Sequence, residues 1–126
     1  MTVSGRVVRG DRVGRKLGFP TANIKVASAS RLPRGVWKVL VKGTTVGERP
    51  GACNVGVRPT LDGVRLVVEV HIPGFRGDLY GRRLTVRFLS KIRSERKFAT
   101  LAALKAQIRK DVASLTRGPS RGTMNA

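Results

Sequence analysis

Regular alternation of apolar and polar residues runs through the first three quarters of the chain and restricts it to a small sheet protein. The stretches Val3 to Val8, Val36 to Val41, Ala52 to Val57, Arg65 to Ile72 and Leu84 to Leu89 are short and rich in β-branched residues. Glycine, proline or charged residues bound each of them. A period of two puts successive side chains on opposite faces, so each stretch can bury one face and leave the other in water. Many short strands at this spacing suit a mainly β fold, a closed antiparallel barrel without unpaired edges. Leu32-Pro33-Arg34-Gly35 carries turn chemistry, and Asp62-Gly63, between Thr60-Leu61 and Val64-Arg65, predicts a tight hairpin connection. Thr44 to Gly51 reads as a short charged loop.

The period changes at Thr100. Leu101, Leu104, Ile108, Val112 and Leu115 recur every three or four residues and make one apolar stripe of a C-terminal helix, about residues 100–116. Thr100 is placed to cap it, while Lys105, Arg109 and Lys110 fall off the stripe into solvent. Thr116-Arg117-Gly118-Pro119 stops the helix and leaves residues 117–126 as a frayed tail. The expected organisation is one domain, 1–116, with that tail.

At 126 residues the chain can bury one core. It has no apolar run of the ~18 to 20 residues that span a membrane and no signal-peptide core, and its lone Cys53 forms no internal disulfide. Those features suit a cytoplasmic protein. Cys53 sits in the strand-like run Ala52-Cys53-Asn54-Val55 and reads as an inert thiol. Charge is the unusual quantity: 26 Lys and Arg against 7 Asp and Glu, a formal net charge of +19. Such a balance serves either a solvated basic surface or attachment to nucleic-acid phosphates. The cations are spread along the chain, not gathered in one arm.

Two places carry chemistry. From Arg9 to Asn23, glycines and cations lead into Pro20-Thr21-Ala22-Asn23. Glycines let backbone N–H groups approach an anion, cations neutralise it, and a hydroxyl with an amide oxygen two residues on can reach a hard cation held by phosphates. This is a nucleotide-phosphate pattern that is neither a Walker A loop nor the Gly-x-Gly-x-x-Gly fingerprint. The second place is Glu69. Alternation sets Leu66, Val68, Val70 and Ile72 on one face of its strand and Val67, Glu69 and His71 on the other. A carboxylate in so apolar a strand, in a chain with few acids, can serve as a base toward an alcohol. His71, the lone histidine, reads as a structural neighbour of Glu69, and it has no Cys or His partners for a zinc site.

These residues resemble the riboflavin kinase family. The likeness starts at Gly5-Arg6-Val7-Val8-Arg9-Gly10 and runs through Gly14-Arg15-Lys16-Leu17-Gly18-Phe19-Pro20-Thr21-Ala22-Asn23. It continues at Leu32 to Trp37, Asn54-Val55-Gly56-Val57-Arg58-Pro59-Thr60, Val68 to Ile72, Asp78-Leu79-Tyr80-Gly81 and Ile92 to Phe98. The ordered series covers about residues 5 to 115. It implies a six-stranded Greek-key barrel with a closing helix, and ATP-dependent phosphorylation of riboflavin to FMN. It further implies Glu69 as catalytic base, Thr21 and Asn23 as ligands of Mg²⁺ or another divalent ion, and Gly10, Gly14, Arg15, Gly18, Thr21 and Asn23 at ATP. Arg12 and Lys16 are weaker phosphate contacts. Ile72, Tyr80, Arg93 and Phe98 are implied at the flavin.

Bacterial relatives carry an FMN adenylyltransferase domain ahead of this one. With four residues before Gly5, the expectation is a monomeric kinase without that domain, whose FMN passes to a separate adenylyltransferase. The rival readings are a small basic barrel that binds nucleic acid without chemistry and a kinase that also binds RNA as a regulator. The scarcity of aromatics, four Phe, one Tyr and one Trp, speaks against the stacking platforms of single-strand binders.

Overall fold

A computed structural model describes residues 1–10, 17–26 and 31–116. Gly14 and Arg15, with Arg12, Lys16 and the expected tail, lie outside the described residues. Six strands, β1 (Thr2–Val8), β2 (Ala22–Lys25), β3 (Gly35–Gly43), β4 (Gly47–Thr60), β5 (Gly63–His71) and β6 (Arg83–Arg93), precede one helix, α1 (Leu101–Ser114). They close into an antiparallel barrel in the order β1-β2-β5-β4-β3-β6, with β6 pairing back to β1. Strands β3, β4 and β5 follow one another as hairpins, and β2 lies beside β5, a Greek-key arrangement.

The barrel is narrow, and β-branched side chains fill it. Val39, Val41, Val55, Val68, Val70, Val86, Leu84 and Cys53 are all but excluded from solvent. Each is the inward member of an alternating strand, so the period of two seen in the sequence is the period of the core. Trp37 and Phe88 meet edge to face at 5.8 Å between ring centroids.

Boundaries depart from the sequence reading in three informative places. Strand β2 has no alternation to announce it, since only Ile24 of its four residues is buried. Its existence is decided by pairing with β1 and β5 on either side. The charged stretch Gly47 to Gly51 is not loop but the start of β4, because Gly43 and Gly47 pair and only Thr44-Thr45-Val46 turns. Gly47 has φ +71°, the left-handed conformation that closes such a three-residue hairpin. Likewise Thr60 pairs with Gly63, so the tight connection is Leu61-Asp62, with Gly63 (φ +143°) as its closing residue.

The helix begins where expected. Thr100 is extended (φ −137°) and its hydroxyl accepts a hydrogen bond from the Ala103 N–H at 3.1 Å. That satisfies one of the amides a helix start leaves open. Leu104, Ile108 and Val112 face the barrel, whereas Leu101 stands 64% exposed at the first turn.

Candidate active site

Strand register assembles the site. Asn23 of β2 pairs with Glu69 of β5, and Glu69 pairs on its other side with Asn54 of β4. Asn54 pairs in turn with Val36 of β3, and Val36 with Arg93 of β6. Paired residues point to the same face with Cβ atoms about 5 Å apart. One row on the outside of the barrel therefore reads Asn23, Glu69, Asn54, Val36, Arg93. Helix α1 covers the row, which is why Val36 is buried although it points away from the barrel interior.

Between helix and row lies a cavity of about 270 Å³ lined by Thr21, Asn54, Glu69 and His71 from the barrel side and by Leu104, Ile108 and Val112 from the helix. A second, of about 360 Å³, adjoins it and is bounded by Glu95, Arg96, Phe98 and Thr100. Asn54, Arg58, Arg93 and Leu104 line both. The pair makes an elongated slot with apolar helix residues on one wall and charged groups at its middle, the form expected for a planar ligand with a polar tail.

Glu69 is largely buried, its side chain 13% exposed, and its Oε2 accepts a hydrogen bond from Arg58 Nη2 at 3.1 Å. The other arm of Arg58 reaches toward Glu95 at 3.7 Å. Glu95 can settle there because Gly56 has no side chain: a Cβ at Gly56 would overlap the Glu95 carboxylate. Across the slot, Arg93 and Asp111 form a forked pair. Nε donates to Oδ1 at 3.0 Å and Nη2 to Oδ2 at 2.9 Å, and Gln107 adds a third donor to Oδ1 at 3.0 Å. Asp111 is 3% exposed. A charge so buried is tolerable only with such partners, so this pair ties α1 to the barrel.

The Pro20-Thr21 segment is fixed by His71, whose Nδ1 donates to the Pro20 carbonyl at 2.7 Å. Phe19 meets the same imidazole edge to face at 5.5 Å. His71 thus positions the residues that lead into β2. Gly10 lies against Asn23 so closely that a Cβ would overlap the amide. Gly18 adopts φ +89°, a conformation that favours glycine, with open space around it. The oxygen donors of Thr21 and Asn23 are hard ligands that suit Mg²⁺ held chiefly by phosphates, and the bare backbone at Gly10 is what lets the Asn23 amide sit where it does. Among the described residues no three His, Cys, Asp or Glu gather as a self-sufficient metal site.

The residues marked at the flavin scatter. Arg93 and Phe98 line the slot, and the Arg93 guanidinium lies 5.6 Å from the Phe98 ring centroid. Ile72 belongs to the buried core cluster. Tyr80 is 53% exposed and lines neither cavity; Arg9 stacks on its ring at 4.5 Å, on the side of the molecule where the chain leaves β1. Conversely, Asn54, Arg58, Glu95 and Asp111 occupy the slot without having been singled out. Asn54 Oδ1 is buried and has no hydrogen-bond partner among the described residues, which marks it as an acceptor for something the slot admits. Cys53, beside this row but facing inward, has its thiol pushed up to about 12 by burial and, secondarily, by the Glu69 carboxylate.

The closed barrel thus sets one carboxylate on its outer face beside a threonine–asparagine pair, under a helix that roofs a slot. The family model described as "Flavokinase: Riboflavin kinase" matches residues 1–117. The chain belongs to that family. It is 47% identical over 109 residues to a bifunctional riboflavin kinase/FMN adenylyltransferase of Escherichia coli K12, covering 86% of this chain and 35% of that protein. It is 39% identical over 118 residues to the RNA-binding riboflavin kinase RibR of Bacillus subtilis, covering 91% of this chain and 50% of that one. The chain thus spans about a third to a half of the length of these relatives. Among solved structures, riboflavin kinase from Trypanosoma brucei superposes with TM-score 0.63 at 28% identity over 92% of this chain and 77% of that chain. A Streptococcus pneumoniae chain described as a macrolide-efflux protein superposes with TM-score 0.81 at 33% identity, over 93% of this chain and 38% of its own.

Proposed function

We propose that this chain transfers the γ-phosphate of ATP to the 5′-hydroxyl of riboflavin, giving FMN and ADP. The observation that carries the reading is the register pair Asn23–Glu69, with Thr21 lining the same cavity as Glu69. The isoalloxazine lies in the slot under α1 against Leu104, Ile108 and Phe98, with its ribityl chain running toward Glu69. Glu69 accepts the proton of the 5′-hydroxyl as that oxygen bonds to the γ-phosphorus and the bond from phosphorus to the bridging oxygen of ADP breaks. Asn54 Oδ1 accepts a hydrogen bond from a ribityl hydroxyl and so orients the chain. Thr21 and Asn23 hold the metal–triphosphate end, next to the glycines at 10 and 18. Mg²⁺, when bound, supplies charge neutralisation between the phosphates. Arg58 keeps the Glu69 carboxylate directed along the slot, and α1 excludes water from the reacting oxygen.

Little covalent work falls to the protein; positioning two substrates on one row of a rigid sheet is the main contribution. The test is incubation with riboflavin, ATP and Mg²⁺ followed by chromatographic detection of FMN, with magnesium omitted as control. The proposal expects FMN and ADP in equal amounts only when all three are present. Absence of FMN from a folded protein that binds riboflavin would overturn it.

A further inference from the structure

Four of the 26 cations, far apart in the sequence, are brought together by the closed sheet on one face. Strand β1 stands three strands from β4 in either direction round the barrel, so its outer side faces away from the slot and from α1. On that outer side Arg6 pairs with Lys25 of β2 on one flank and with Arg83 of β6 on the other. Three cations therefore stand abreast on adjacent strands, about 10 Å from end to end. Arg87 continues the patch along β6, about 13 Å from Arg83. All four are exposed. Between them lie the hydroxyls of Thr2, Ser4 and Thr85, the last two bonded to each other at 2.9 Å. Strands β1, β2, β3 and β6 contain no acidic residue. Asp78 stands in the turn whose Gly81 carbonyl accepts from Arg6, and Glu48 of β4 lies opposite Lys42. Three of the chain's acids, Glu69, Glu95 and Asp111, are drawn to the slot instead, where arginines neutralise them.

We infer that this back face binds double-helical RNA through its phosphate backbone. Four like charges so close repel one another unless an anion lies across them, and arginine matches phosphate in geometry as well as charge. Among the described residues the strands of this convex face turn no aromatic side chain outward, and the exposed Tyr80 at its edge, beside the Gly81 carbonyl that Arg6 bonds, has its ring covered by Arg9, so the face lacks the row of aromatics that makes a single-strand stacking platform. It has, among the described residues, no projecting helix or ribbon to enter the major groove of DNA. A hydroxyl-bearing, cationic surface fits the wide, shallow minor groove of A-form RNA, where 2′-hydroxyls and phosphates are displayed.

The test compares two charge-matched triple variants by fluorescence anisotropy on a labelled RNA hairpin between about 50 and 200 mM salt. Lys25→Gln/Arg83→Gln/Arg87→Gln removes back-face cations that have no ion pair among the described residues. Lys105→Gln/Arg109→Gln/Lys110→Gln removes three solvated cations of α1. The back-face variant should flatten the slope of log K against log salt by about 2 to 3, with affinity near 0.15 M salt falling about 100-fold. The helix variant should change the slope by less than about 1. Thermal melts check that both variants fold like the parent, and FMN formation should be unchanged in both. Equal slope losses in the two variants would overturn the assignment, as the charge would then act without a site. Equal or tighter binding to duplex DNA, or to phosphatidylserine vesicles, would overturn the choice of RNA.

Discussion

Replacing Asp111 by Asn keeps the shape of the side chain and removes the charge that holds α1 to the barrel. In the parent, Arg93 Nε donates to both Asp111 oxygens at 3.0 and 3.1 Å and Nη2 to Oδ2 at 2.9 Å, Gln107 donates at 3.0 Å, and the carboxylate is 3% exposed. The variant leaves the Arg93 guanidinium, itself mostly buried, facing a neutral amide whose NH₂ competes for the same space. Breaking one side of a buried pair typically costs about 3 to 5 kcal/mol. For a domain of this size that lowers the melting temperature by roughly 10 to 20 °C. The measurement is urea and thermal unfolding followed by far-ultraviolet circular dichroism and by Trp37 fluorescence. The double variant Arg93→Met/Asp111→Leu should recover most of the loss, since an apolar pair avoids the cost of burying two charges. A single variant that loses less than about 1 kcal/mol, the range of solvent-screened surface pairs, would refute the reasoning. It would mean that the forked pair contributes no more to docking the helix than an exposed contact does.

Asn54 and Cys53 carry two further expectations. Because Asn54 Oδ1 is buried without a partner among the described residues, Asn54→Leu should leave the ligand-free protein as stable or more so, by up to about 1 to 2 kcal/mol. The same change should weaken riboflavin binding about tenfold, read by quenching of flavin fluorescence. Unaltered affinity would remove Asn54 from its assigned place. For Cys53, the unfolded thiol ionises near its ordinary 9.0 while the native thiol holds its proton to about 12. The native state thus binds the proton more tightly, and stability that is complete below pH 9.0 is lost as pH rises toward about 12. The slope is about 1.4 kcal/mol per pH unit relative to Cys53→Ala, measured by denaturant titration across that window. Parallel stability curves for the two proteins would contradict it.

The barrel was legible because its core repeats one simple signal, a β-branched residue at every second position, and Val68, Val70, Val86 and their neighbours occupy the interior accordingly. Glu69 stood out for the same reason, as a charge on the outer face of an apolar strand. Strand β2 was hidden because four residues with one buried side chain carry no period; neighbouring strands define it. Asn54 and Arg58 gain meaning only from the β4–β5 register, which brings them to Glu69 from a separate segment. Asp111 did leave a trace: it lies three residues after Ile108 and seven after Leu104, on the barrel-facing side of α1, where an acid needs a partner. Its partner, Arg93, lies at the end of β6 and could not be named from helix periodicity. The basic back face was invisible for a related reason. Lys25, Arg6 and Arg83 are far apart in sequence and become neighbours only when β6 closes onto β1.

The most direct trial of the account is the rate of FMN formation by Glu69→Gln under saturating riboflavin, ATP and Mg²⁺. Loss of a general base predicts a fall in kcat of about 10² to 10⁴-fold. Riboflavin affinity and the circular dichroism spectrum should stay close to those of the parent. A variant that still turned over at more than about a tenth of the parental rate would contradict the account, because proton acceptance at the reacting oxygen would then lie elsewhere.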